Sequence, residues 1–261
     1  MLFDTHVHFD GLGTRDEADA CLARAQAAGV SGMIAVGGSP EANAHALDIA
    51  GRFPATASAA VGYDRYCAVS EPPLAALDSM LANWAHIAAV GEIGLDFHYE
   101  PETKARQAGL FRQMLERARH HQLPVIVHSR ESDEETLAIL AEHVSLWKGP
   151  PDRVGVLHSF TGGDVFARRV LELGLHISFS GILTFRNAAS LREVAKTVPD
   201  NRLLIETDSP YLAPVPLRGR KNEPAFVRYV AEVLAHVRGC PLERIAKLTT
   251  ANARRLFGLK G

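Results

Sequence analysis

Short apolar, β-branched runs alternate with longer amphipathic stretches along the chain. The runs near residues 2–7, 31–36, 56–61, 88–93, 124–128, 154–158, 176–180 and 202–207 predict eight strands. Helical periodicity fills the gaps, as from Asp16 to Ala28 and from Thr103 to Gln122. In the second stretch Leu110, Phe111, Met114, Leu115 and Ala118 fall on one face. Two further helices, Pro224 to Val237 and Leu242 to Phe257, follow the last strand.

Eight strands, each followed by a helix, predict an α/β fold of the (β/α)8 TIM-barrel type. The competing architecture is an open doubly wound sheet. No G-x-G-x-x-G opens a helix after the first strand, which weakens the dinucleotide-binding version of that alternative. No linker is long or polar enough to divide the chain, so a single domain over residues 1–261 is expected.

Hydrophobic residues make up 47% of the chain, enough to fill such a core. A net charge of −2 excludes a globally cationic nucleic-acid binder; a polyanion would have to be held by a local cluster or by metal. Cys21, Cys67 and Cys240 are far apart and form no C-x-x-C, so neither a disulfide framework nor a thiolate zinc site is expected. This pattern fits the cytoplasm. No signal peptide and no apolar run long enough for a membrane span are read from the sequence.

The candidate chemistry lies at the strand ends. His6 and His8 end the first strand and, two residues apart, project to one face. Glu92 ends an apolar strand, where a carboxylate is costly unless it meets a cation. The alternative for Glu92 is a buried ion pair with an arginine. Asp96 is expected beyond that strand, as a loop cap or an orienting group. His128 and His158 end the fifth and sixth strands, and Asp208 the eighth. Glu206, two residues earlier, is expected one layer deeper, behind the site. Four of the twelve histidines thus fall on one rim, the rim where such barrels carry their active sites.

Four imidazoles and two carboxylates exceed the needs of one tetrahedral ion and suit two divalent cations about 3.5–4 Å apart. Glu92 is the natural bridge, with His6, His8 and Asp208 on one side and His128 and His158 on the other. Mixed nitrogen and oxygen donors admit Mg²⁺, Mn²⁺ or Zn²⁺. The expected chemistry is hydrolysis by a water that the metal makes acidic, with Glu92 and Asp208 as catalytic carboxylates and Asp208 as proton acceptor.

Taken in order, these segments resemble the TatD family of metal-dependent deoxyribonucleases, within the amidohydrolase-like barrels. The resemblance rests on Asp4-Thr5-His6-Val7-His8, Gly91 to Asp96, Leu123 to Arg130, His158 to Gly162, Ile177 to Gly181, Glu206 to Pro214, Arg218 to Pro224, Thr249 to Ala253 and Leu256 to Gly258. It implies that His6, His8, Glu92, His128, His158 and Asp208 are the divalent-metal ligands. It also implies phosphodiester hydrolysis on DNA, often as a 3′→5′ exonuclease. Family members commonly carry Gly-x-His-Pro after the third strand, whereas this chain has Gly62-Tyr63-Asp64-Arg65. That loop is expected to shape the substrate cleft, so the departure bears on substrate preference. Many wider relatives bridge their metals with a carboxylated lysine on the fourth strand; Glu92 holds that place here.

Arg218, Arg220 and Lys221 form the one dense cationic cluster, after the strand that leads to Asp208. With Arg130, they are the expected contacts to substrate phosphates. Tyr211, Phe160 and Phe185 are candidates for stacking on bases. So few cations imply weak, sequence-tolerant binding of DNA, with single strands or frayed ends preferred. The competing functions are hydrolysis of an amide, ester or lactone at the same dinuclear site, and a non-catalytic metal-binding role.

Overall fold

The computed structural model describes residues 1–99 and 101–259. Its strands are β1 (Leu2–Val7), β2 (Val30–Gly38), β3 (Ala57–Tyr63), β4 (Ile87–Asp96), β5 (Val125–Arg130), β6 (Gly155–Leu157), β7 (His176–Phe179) and β8 (Leu203–Ile205). Its helices are α1 (Arg15–Ala27), α2 (Pro40–Arg52), α3 (Leu74–Asn83), α4 (Lys104–His121), α5 (Asp133–Ser145), α6 (Asp164–Glu172), α7 (Ala189–Thr197), α8 (Val227–Val237) and α9 (Leu242–Phe257). The strands pair in chain order, every neighbouring pair parallel. This is the predicted barrel.

Local signals explain the helix boundaries. Thr14 caps α1 through a reciprocal pair: its hydroxyl accepts from the Glu17 amide, and the Glu17 carboxylate accepts from the Thr14 amide. Gly258 ends α9 in the left-handed conformation, at φ +66°. Alternation along the strands sorts the core into two layers. Met33 and Ala35 of β2 pack outward with the helices, while Ile34 and Val36 join Phe3, Ala60, Ile126, Val156 and Leu204 in an inner layer. Leu256 and Phe257 of α9 belong to the same inner layer, so the last helix packs on the barrel interior.

The barrel closes where the chemistry lies. Val7 bridges Ser209 in parallel, His8 N donates to Ser209 O at 2.9 Å, and Asp208 N donates to His6 O at 3.0 Å. Below this seam Asp4 accepts from Thr207 N (2.9 Å) and Thr207 Oγ1 (2.6 Å). Several sequence expectations need correction: His128 does not end β5, which continues to Arg130, and Asp96 is the last residue of β4, not a loop residue beyond it. Asp208 does not end β8, which stops at Ile205; the backbone at Asp208 is left-handed (φ +57°) and turns the chain out of the sheet. Glu92 does not end β4, which runs on to Asp96.

Candidate metal centre

Two strand irregularities set the site. Between Asp4 and Val7, β1 advances three residues while β2 advances two. The extra residue breaks the simple alternation, the effect of a β-bulge. Thr5 faces the interior, where its hydroxyl meets Ser178 Oγ and Ile205 O at 3.1 Å, and His6 and His8 beyond it also face the barrel mouth. In β4, Val90 to Ile93 likewise covers three residues against two in β5. Past that point Ile93 and Leu95 pack outward, while Glu92 and Asp96 face the mouth.

All six predicted ligands converge there. Glu92 divides its two oxygens: Oε2 lies 3.5 Å from His6 Nε2 and 3.4 Å from His8 Nε2. Oε1 lies 3.1 Å from His128 Nδ1 and 3.2 Å from His158 Nε2. Asp208 Oδ1 completes the first set at 3.5 Å from His8 Nε2 and 3.9 Å from His6 Nε2. His6–His8–Asp208 and Glu92–His128–His158 are each compact enough to hold a divalent cation. The nitrogen and oxygen donors, with no thiolate among them, fit such an ion chemically.

Each outer histidine turns its second ring nitrogen to a carboxylate. His128 Nε2 meets Asp96 Oδ2 at 3.2 Å, and His158 Nδ1 meets Glu206 Oε1 at 3.2 Å. Such partners fix ring orientation in metal sites. Glu206 is fully buried and also accepts from Ser159 N at 2.7 Å. Asp96 combines the two roles open to it: Oδ2 orients His128, and Oδ1 caps the loop by accepting from His98 N at 2.9 Å.

Burial opposes the charged forms in the cluster: at His6 it prevails and lowers the pKa, whereas at Glu92, Asp96 and His158 mutual attraction overrides it. His158 and hydrogen bonds from the surrounding imidazoles hold the Glu92 carboxyl well below its usual range. Burial likewise disfavours the His158 cation, yet Glu92 and Glu206 raise its pKa to about 10. Burial works against Asp96 too, but His128, with Arg65 behind, brings it down to about 2.

The donors open into a cleft of about 750 Å³. Of the predicted phosphate contacts, Arg130 lines it and stacks over Tyr99 at 4.7 Å. Arg218 lies outside that lining, stacked on Phe185 at 3.9 Å and donating to Ala213 O; Arg220 and Lys221 are exposed on the same outer loop. Phe160 is buried against Phe166 and Phe179, so it packs the core and cannot stack on a base. Tyr211 is exposed at the mouth. Sequence reasoning missed Tyr66 and Tyr99, also exposed there, and Arg65, which reaches Glu92 and Asp96. The departure from Gly-x-His-Pro was the one available signal for Arg65.

Fold and site together define a metal-dependent hydrolase on a (β/α)8 scaffold. The chain belongs to the TatD family: the profile of TatD related DNases matches residues 3–258. It is 42% identical over 265 residues to the uncharacterized metal-dependent hydrolase YcfH of Escherichia coli K12, covering 98% of this chain and 96% of that protein. It is 33% identical over 261 residues to a Salmonella typhimurium protein named 3′-5′ ssDNA/RNA exonuclease TatD, covering 98% of each. The crystal structure of YJJV, a TatD homologue from E. coli, superposes with a TM-score of 0.90 at 32% identity, covering 99% of this chain and 98% of the other. No helix among the described residues is long and apolar enough to cross a membrane.

Proposed function

We propose that this protein hydrolyses phosphodiester bonds at single-stranded ends of DNA, removing nucleotides in the 3′→5′ direction. The observation that carries the reading is a ring of three tyrosines at the cleft mouth. Tyr66, Tyr99 and Tyr211 are 51%, 58% and 59% exposed, and all line the cleft above the metal donors. Exposed aromatic faces there favour unpaired bases, each stack contributing about 1–3 kcal/mol. An amide, ester or lactone would need no such platform.

His6, His8, Glu92 and Asp208 would hold one divalent cation, and Glu92, His128 and His158 a second, with Mg²⁺, Mn²⁺ and Zn²⁺ all compatible with the donors. When bound, divalent ions supply Lewis acidity and lower the pKa of a water toward about 7. Asp208, which lines the cleft beside His6 and His8, would serve both as a metal donor and, through its carboxylate, as acceptor of the water's proton. Asp96 and Glu206 keep His128 and His158 in register with Glu92. Arg130 on Tyr99 contacts a phosphate beside a stacked base. Arg218, Arg220 and Lys221 lie farther out, along the path of a longer strand.

The test is one panel: purified protein with Mg²⁺, Mn²⁺ or Zn²⁺ on end-labelled single- and double-stranded DNA, beside generic ester and lactone substrates. Shortening of single strands from the 3′ end is expected. Ester or lactone turnover with intact DNA under every metal would overturn the reading.

A further inference from the structure

The segment Tyr63-Asp64-Arg65, where the family pattern departs, folds as one device. Tyr63 is buried and its hydroxyl donates to Pro73 O at 3.1 Å. Asp64 accepts from Tyr66 N at 2.9 Å and starts a short 3₁₀ turn, Arg65–Val69. That turn brings the guanidinium of Arg65 over the Tyr66 ring, 4.3 Å from its centroid, and into the cleft.

The Arg65 side chain is only 13% exposed, yet its contacts are loose. Nη1 lies 3.6 Å from Glu92 Oε1 and Nε lies 3.3 Å from Asp96 Oδ2, and the buried Nε has no hydrogen-bond partner. The other arginine–carboxylate pairs among the described residues lie at 2.5 to 3.1 Å, although several are far more exposed. Charge-assisted hydrogen bonds settle at about 2.7–2.9 Å. A guanidinium buried only to steady Glu92 and Asp96 would close to that range, because desolvating it costs several kcal/mol. Both carboxylates already have imidazole partners. Arg65 therefore stands beside the metal donors, lining the cleft, with a buried Nε that has no hydrogen-bond partner and a planar guanidinium whose fork matches phosphate oxygens.

We infer that Arg65 is the phosphoryl-binding residue beside the metal donors, with Arg130 farther along the cleft, taking non-bridging oxygens of the substrate and selecting an anion over a neutral ester, lactone or amide. The inference rests on the proposed phosphodiesterase reading for its substrate but not for its anion.

The experiment compares the wild-type holoprotein with R65M and R65K. It reads metal content, the dissociation constant for inorganic phosphate, and KM and kcat on an oligothymidylate over a range of NaCl. R65M should weaken phosphate and raise KM by about 10–100-fold, the loss expected for a hydrogen bond between charged groups. Its salt slope should become shallower by about 0.7, one phosphate contact on a single strand. Metal content should stay level, and R65K should recover part of the affinity. A merely positioning arginine would change kcat or metal content and leave phosphate affinity and salt slope alone, which overturns the inference. Equal phosphate affinity in wild type and R65M, including none in either, overturns it even if DNA is cut. Arg65-dependent phosphate binding without DNA cleavage would leave the inference standing and remove the nucleic-acid reading instead.

Discussion

Asp96 Oδ2 lies 3.2 Å from His128 Nε2, on the side of the ring opposite Glu92, which meets Nδ1 at 3.1 Å. His158 uses the reverse pair, Nε2 to Glu92 and Nδ1 to Glu206. Each carboxylate therefore selects which nitrogen its imidazole presents to the site. Asp96→Asn and Glu206→Gln should each lower divalent-metal affinity by roughly 10–100-fold. Titration with Zn²⁺ or Mn²⁺ in a metal buffer measures this, with circular dichroism to confirm the fold. Unchanged affinity in both variants would remove the orienting role.

Asp208 sits at φ +57°, a conformation that Asn tolerates as readily as Asp. Asp208→Asn should therefore fold while losing its proton acceptor, lowering kcat by about 10²–10⁴-fold. Glu92→Gln should lose turnover too, and with it bound metal, because both donor sets lean on its two oxygens. Metal analysis beside single-turnover rates separates the two cases. Wild-type rates in either purified variant would refute the assignment.

What was legible in the chain follows from which features obey a simple period. The His6/His8 pair reads correctly because its members are two positions apart, whatever the phase of the strand. That phase did shift, by the extra residue of β1, and no local pattern announces it. Glu92 looked terminal because the apolar run falters at Gly94, but ladder pairing with β5 carries the strand on to Asp96. Asp208 looked like the end of a strand because nothing in Glu206-Thr207-Asp208 breaks one; the left-handed turn is set by bonds to β1, distant in sequence. For Arg65 the departure from Gly-x-His-Pro marked the place but not the direction, which comes from a 3₁₀ turn and not from any periodicity. The Arg218 cluster read as a cationic rim, whereas Arg218 itself packs on Phe185, a tertiary contact that charge density does not reveal.

Gly94 offers a test of how closely β4 and β5 must approach. It sits at φ +138°, and a Cβ there would lie 2.1 Å from His128 O, a backbone atom that cannot swing aside. Gly94→Ala should cost about 1–3 kcal/mol or more by forced separation of the strands, and should lower metal affinity by displacing His128. Thermal unfolding and metal titration together check this. A variant with wild-type melting would mean that the two strands yield easily here.

Two histidines outside the site should make the protein acid-sensitive. His143 and His176 are fully buried, and burial pushes each pKa down to about 4; Arg119 adds to the effect at His143 and Arg202 at His176. In the unfolded chain both return to about 6.5. The native state thus binds fewer protons than the unfolded state between pH 6.5 and 4, so stability rises with pH across that window. The contribution is fully present above pH 6.5, declines as pH falls, and is gone below about 4. By pH 4.5 each ring should have lost roughly 2 kcal/mol of its neutral-pH contribution. Urea unfolding at pH 7 and pH 4.5, with chelator present, compares wild type with His176→Leu and with His143→Leu/His176→Leu. The site histidines are common to all three proteins and cancel in the comparison. The drop between the two pH values should shrink stepwise with each ring removed, and an undiminished drop in the double variant would place the acid sensitivity elsewhere.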